Sequence, residues 1–170
     1  MTHLSIGDIF REEVKDQTSK YAKILTENMK AGRVGVKEMT IELLRKAMTA
    51  VTKTSGCTKF LVDGFPRSLD RALLFEKSIG QPVCVLYLEC EDRTLRERLG
   101  KRREGRSDDN AETVEKRLNE FERDISPVLQ HYKSMGVLID VDGSRSREEV
   151  REEIESKLQR FIATGSRRHS

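Results

Sequence analysis

The sequence predicts an α/β fold with a mainly parallel sheet, and three observations carry that prediction. Short apolar runs of strand length alternate with longer stretches of helical periodicity. One of the runs, Pro82 to Cys90 (PVCVLYLEC), is apolar nearly throughout, as a parallel strand covered on both faces requires. The order along the chain is helices first, then strand and helix in alternation three times over, which connects parallel neighbours through helical crossovers. At 170 residues the chain is expected to form a single domain, spanning 1–165, with a real core and a disordered tail at 166–170.

The elements follow in order. Thr2-His-Leu-Ser-Ile-Gly-Asp-Ile-Phe-Arg11 contains an S-x-x-D capping pattern, Ser5 with Asp8, before an apolar pair. Capping accounts for those two residues but not for Arg11, about two turns into the helix they open. Residues 8 to 53 read as nearly all helical, interrupted near Asp16 to Ser19 and at Gly32 to Val36. Lys59 to Val62 is the first clear strand. Leu69, Leu73, Phe75 and Ile79 mark the next helix, and Leu95 with Leu99 the one after Pro82–Cys90. The clearest helix runs through Val114, Leu118, Phe121, Ile125, Val128, Leu129, Tyr132 and Met135, with Pro127 inside it expected to produce a kink. Val137 to Val141 (VLIDV) is a third strand. Ser146 and Glu149 form a capping box for a last helix through Val150, Ile154, Leu158 and Phe161.

Composition excludes several classes of function. Hydrophobic and charged residues each make up 36% of the chain, a balance that suits charge-laced helices around a compact core. With 32 basic and 29 acidic residues the net charge of +3 is too even to signal general nucleic-acid or membrane binding. No aromatic platform accompanies the arginines and Trp is absent, which argues against an RNA-binding protein. Cys57, Cys84 and Cys90 contain no C-x-x-C, and His3, His131 and His169 are scattered, so disulfides and zinc are not expected. No apolar stretch approaches the roughly 18 residues of a membrane span. With no signal-peptide core and no lipidation or peroxisomal motif, a cytoplasmic location is expected.

Ligands of open α/β sheets bind beyond the carboxyl ends of strands. That rule singles out Asp63 to Arg67, Glu89 to Asp92 and Val141 to Ser144. In the first, Asp63 suits a magnesium ion, directly or through water. Gly64 permits close backbone approach, and Pro66 fixes the chain ahead of Arg67, whose planar fork matches phosphate oxygens. A tight turn with an exposed arginine is the alternative. A second cluster gathers Arg98, Arg102, Arg103, Arg106 and, beyond Asp108-Asp109-Asn110, Arg117. Several guanidinium groups flanking one polar loop would suit a lid that closes on polyphosphate, and a solvated turn is the alternative.

Taken together, THLSIGDIFREE, FLVDGFPR, FEKSIGQP, RLGKR, GRSDDN and the EKR ending at Arg117 resemble the adenylate kinase family, which includes the UMP/CMP kinases. The motifs run in family order, and the similarity extends to about residue 162. The resemblance implies a three-layer P-loop-NTPase-like parallel sheet flanked by helices. It also implies transfer of the γ-phosphoryl of ATP, with Mg2+, to a nucleoside monophosphate by a monomeric enzyme. By motif, Arg11 and Arg67 would grip the acceptor phosphate, Gly64, Phe65 and Pro66 would line that site, and Asp63 would serve Mg2+ through water. Ile6, Arg33, Val34, Gly35 and Arg71 would surround the acceptor base, within acceptor-binding helices at about 5–53. Arg98 would stack on the ATP adenine, with Arg145 also on the ATP side. Arg102, Arg106 and Arg117 would neutralise the phosphates in flight, and Asp108 and Asp109 would steady a short lid at about 102–110.

Several positions depart from the family pattern. Ile6 stands where adenylate kinases carry threonine, Arg71 where they carry a base-reading glutamine, and Gly35-Val36 where Val-Pro is usual. AMP is the expected acceptor, with UMP/CMP as the alternative. No G-x-x-x-x-G-K phosphate loop occurs in the sequence, and Met1 stands where the family has a strand, that loop and a helix, together about 30 residues. The resemblance therefore implies a sheet whose central strand is missing and impaired catalysis. Either a start placed downstream or a non-catalytic nucleotide- or partner-binding paralogue would give such a sequence.

Overall fold

The structure is a computed structural model and describes residues 1–31, 35–100 and 111–165. Its elements are β1 (Thr2–Ser5), α1 (Ile6–Lys15), α2 (Ala22–Lys30), α3 (Lys37–Ser55), β2 (Phe60–Asp63), α4 (Leu69–Ser78), β3 (Val85–Glu89), α5 (Asp92–Gly100), α6 (Ala111–Ser134), β4 (Leu138–Asp142) and α7 (Arg147–Gly165). The strands form two parallel pairs, β1 with β2 and β3 with β4. The chain divides into two compact units, one on Met1–Gln81 with Arg106–His131, the other on Pro82–Gly105 with Tyr132–Ser170. The mixed α/β class and the parallel strands match the sequence prediction.

In the first unit β1 and β2 run in register from Thr2 opposite Phe60 to Ser5 opposite Asp63. The Thr2 N–H donates to the Lys59 carbonyl at 2.8 Å and starts the ladder. Leu4, Ile6 and Phe10 close onto Leu25, Met39, Leu43 and Leu44, which gives this unit its core. Met39, Leu43 and the other buried α3 residues recur at helical spacing, so one face of the helix is inside while Glu42 and Arg45 stay in water. α3 ends on Gly56 in the left-handed conformation, φ 68°, the usual glycine stop.

In the second unit β3 and β4 pair from Val85 opposite Leu138 to Glu89 opposite Asp142, and α7 packs on β4. Ile139 and Val141 are buried, as alternation along β4 demands. α7 opens on the expected capping box: the Ser146 N–H donates to the Glu149 carboxylate at 3.0 Å and the Glu149 N–H to Ser146 Oγ at 3.3 Å.

Several expectations are corrected. Thr2–Ser5 is a strand as well as a lead-in to a helix cap; with one apolar side chain in four residues it has no periodicity, and only its partner β2 makes it extended. β3 is shorter than Pro82–Cys90: its ladder starts where the Val85 N–H donates to the Val137 carbonyl at 2.8 Å. Nor is β3 covered on both faces among the described residues, since Leu88 is 50% exposed. β2 and β4 each begin one residue later than read from the sequence. The long helix, α6, continues through Pro127 to Ser134.

Candidate active site

The parallel register sets the first half of the site. Because Ser5 lies opposite Asp63, the carboxyl ends of β1 and β2 finish side by side, and the next residues of both strands leave from one edge. Ser5 caps α1, accepting the Asp8 N–H at 3.4 Å. Arg11 is half-buried and folds back along the helix to the Asp8 carboxylate. A Cβ on Gly7 would meet the Arg11 guanidinium at 3.2 Å, so the cation lies over the first turn of α1. The helix N-terminus already favours anions there, and the guanidinium adds to it.

The β2 side contributes a second guanidinium. Gly64 takes φ 76°, a left-handed conformation that suits glycine, and Pro66 follows in the turn. Arg67 Nε donates to the Gly64 carbonyl at 3.1 Å, and its Nη2 lies 3.6 Å from where a Gly64 Cβ would stand. The turn is seated by Phe65, whose ring packs on Phe75 of α4 with centroids 5.4 Å apart. Two guanidinium groups therefore stand over the adjoining ends of one strand pair. Asp63 ends β2 with its carboxylate exposed and His3 Nε2 at 3.7 Å. His3 looked incidental in the sequence. The signal that would have found it is the pairing of THLS with FLVD, which sets His3 and Asp63 diagonally across the ladder.

Behind this edge, α4 is tied to the start of α3. Lys37 Nζ meets Asp70 at 3.3 Å, and Ser68 Oγ donates to Asp70 at 2.5 Å; the Ser68 bond, followed by Lys37, holds the Asp70 carboxyl below its ordinary pKa. Arg71 is half-buried and donates to the carbonyl of Gly35. Burial pushes its pKa down, opposed by Asp70, Glu38 and Asp124. Ile6 is buried in the core at the head of α1. α6 reaches this unit through Lys116, which donates to the Ala31 carbonyl at 3.1 Å, and through His131, 2.9 Å from Glu76.

The second unit places Arg98 and Arg145 at the end of its strand pair. Arg98 donates to the carbonyls of Gly143 at 2.5 Å, Ser144 at 3.1 Å and Arg145 at 2.9 Å. Arg145 pairs with Asp142 at 3.2 Å and with Glu153. The Gly143 N–H donates to the Glu89 carbonyl at 2.6 Å, so the residues after β4 lock onto the end of β3. Arg33, Val34, Arg102, Arg106, Asp108 and Asp109, with the expected lid at 102–110 and the tail at 166–170, lie outside the described residues. Arg117 belongs to α6, and its side chain is also outside them.

Comparison with known proteins shows the family. A family model described as adenylate kinase matches residues 1–137. A UMP-CMP kinase from Lentinula edodes is 35% identical over 172 residues, covering 95% of this chain and 76% of that protein. A uridylate kinase from Saccharomyces cerevisiae is 35% identical, covering 92% of this chain and 77% of its own. Human adenylate kinase isoenzyme 1 is 39% identical, covering 88% and 76%. The chain belongs to the adenylate kinase family of phosphotransferase enzymes.

Proposed function

We propose that this chain is by descent a nucleoside monophosphate kinase with ATP as donor and AMP as acceptor, ATP + AMP giving two ADP, and that catalysis by these 170 residues is impaired for want of a G-x-x-x-x-G-K phosphate loop. The observation that carries the reading is the placing of Arg11 and Arg67 over the adjoining carboxyl ends of β1 and β2. Two guanidinium groups and a helix N-terminus at one strand edge make a receptor for a phosphate dianion. In the reaction a bond from the γ-phosphorus to its bridging oxygen breaks, and one to an oxygen of the monophosphate forms. That chemistry asks for positioning and charge neutralisation more than for a protein nucleophile. Arg11 and Arg67 position the acceptor. Arg102, Arg106 and Arg117 are assigned to charge neutralisation, Asp108 and Asp109 to the lid, and Arg98 and Arg145 to the ATP side.

The residues present fit magnesium of one kind only. Among the described residues no group of three or more His, Cys, Asp or Glu can hold a metal ion. Asp63, a single exposed carboxylate at a strand end, suits a cation that keeps its waters and takes its remaining oxygens from substrate. When bound, Mg2+ neutralises charge on the transferring phosphates. No helix among the described residues is long and apolar enough to cross a membrane.

A pyrimidine acceptor is the second reading, favoured by the UMP-CMP kinase and uridylate kinase among the relatives. With Ile6 and Arg71 beside the base, AMP is expected to lead by a narrow margin. The experiment is a calorimetric titration of the 170-residue chain with AMP, UMP and CMP. Arg67→Ala should weaken all three about tenfold or more, because a charge-assisted grip is lost, and Lys at 67 should rescue poorly for want of the fork. Unchanged affinities in Arg67→Ala would remove Arg67 from the site.

A further inference from the structure

The two oxygens of the Asp70 carboxylate hold two different segments of the chain. Oδ1 accepts from Ser68 Oγ at 2.5 Å, and Oδ2 lies 3.3 Å from Lys37 Nζ. Ser68 follows Arg67 directly and is the N-cap of α4, yet its side chain accepts no helix N–H. The usual capping bond is replaced by a hydroxyl that donates forward to the carboxylate in the first turn. Lys37 is the first residue of α3. Next to Asp70, Arg71 donates to the Gly35 carbonyl, so consecutive residues of α4 fasten the entry to α3 at two points, Gly35 and Lys37. The Ser68 bond, followed by Lys37, holds the Asp70 carboxyl below its ordinary pKa, so it is ionised at neutral pH.

We propose that Asp70 is a positioning residue of the acceptor site: one oxygen sets the turn that carries Arg67, and the other sets the start of α3 against it. The inference deepens the reading of this unit as the monophosphate acceptor and rests on it. Toward the phosphate itself a carboxylate has nothing to offer, since both are negative and both only accept hydrogen bonds. Its effect passes through Arg67. On the same reading Arg67 grips the phosphate and Gly35 lies beside the base, so a monophosphate held at both ends feels the distance between them. Joining the two segments in advance lowers the cost of ordering them when the ligand arrives. Lys37 and Asp70 have 38% and 53% of their side chains exposed, so the ionic contact is of modest strength.

The test is calorimetric titration with AMP, at low and high salt, of the 170-residue chain, Asp70→Asn, Lys37→Met and the double variant, with thermal unfolding of all four proteins. Each single substitution removes the ionic contact and should weaken AMP about two- to fivefold at low salt. The double variant should be no weaker than either single one, because the two residues act through one contact. Asp70→Ala, which gives up the Ser68 bond as well, should weaken AMP further. The ratio of each variant to the unaltered chain should shrink toward one at high salt. A charge effect through space would instead tighten AMP in Asp70→Asn while weakening it in Lys37→Met. A merely structural role would lower the melting temperature and leave affinity below the transition unmoved. Either result, with Arg67→Ala still losing AMP, would overturn the inference alone. No binding of AMP by the unaltered chain would overturn the acceptor-site reading and this inference with it.

Discussion

Gly143 occupies a place in which a single methyl group has nowhere to go. A Cβ there would stand 2.9 Å from the Glu89 carbonyl oxygen, a backbone atom that also accepts the Gly143 N–H. Gly143→Ala should therefore separate the ends of β3 and β4 and cost roughly 1–3 kcal/mol, as overpacking generally does. Chemical denaturation of the two proteins checks it, and equal midpoints would mean that the loop gives way without loss. The sequence marked Val141–Ser144 as a ligand-binding end, but nothing in it pairs Gly143 with Glu89. The same holds for Arg98, expected from the resemblance to stack on adenine. Its three carbonyl contacts depend on where residues 143–145 fold, which no spacing rule reveals. Arg67 can be singled out because it stands just beyond the strand read at Lys59–Val62, whereas Arg11 is marked only as a residue that capping leaves unexplained.

At the level of elements, local chemistry was readable and distant pairing was not. The α7 capping box involves residues three apart, so its partners appear in the sequence itself. β1 needed a partner more than fifty residues away and gave no signal. The capping box also has a pH consequence. The Ser146 hydroxyl, and then its backbone N–H, lowers the Glu149 carboxyl below its ordinary pKa. A carboxyl lowered in the folded state stabilises fully above its unfolded value, about 4.3, and that support is lost as pH falls through the lower folded value. Melting temperature should therefore drop on acidification below about pH 5, and less steeply in Glu149→Gln than in the unaltered chain. Parallel curves for the two proteins would show that the capping box contributes nothing to acid sensitivity.

For the whole molecule, the fold class and the family were legible because six short motifs stand in order along the chain. The resemblance implied a sheet without its central strand, and the described strands form two separate pairs; that Thr2–Ser5 would pair with β2 was not legible, since motifs name ends of strands and not their neighbours. Each described strand has a ladder on one edge only, and a strand edge left without a ladder favours association between copies. Function is constrained at the same scale. Among 170 residues there is no G-x-x-x-x-G-K, hence no backbone cradle of that kind for the donor's β- and γ-phosphates. The 170-residue polypeptide is thus expected to bind a monophosphate and to show no ATP:AMP phosphotransfer above background. A coupled assay beside a version carrying a strand, such a loop and a helix ahead of Thr2 decides the matter. Equal turnover in the two would place the donor phosphates on some other part of this chain.

The register of β1 against β2 also divides the chain into stretches that tolerate a change of length and stretches that do not. Side chains alternate between the faces of a strand, so losing or gaining one residue within Thr2–Ser5 would turn Leu4 out of the core and His3 away from Asp63. It would also shift Arg11 by one position around its helix relative to Arg67. The link from Gly56 to Lys59 is different: Gly56, Thr58 and Lys59 are exposed and belong to no helix or strand. Variation in length among descendants of this sequence should collect at that link, and variation within β1 should be confined to exchange of one residue for another.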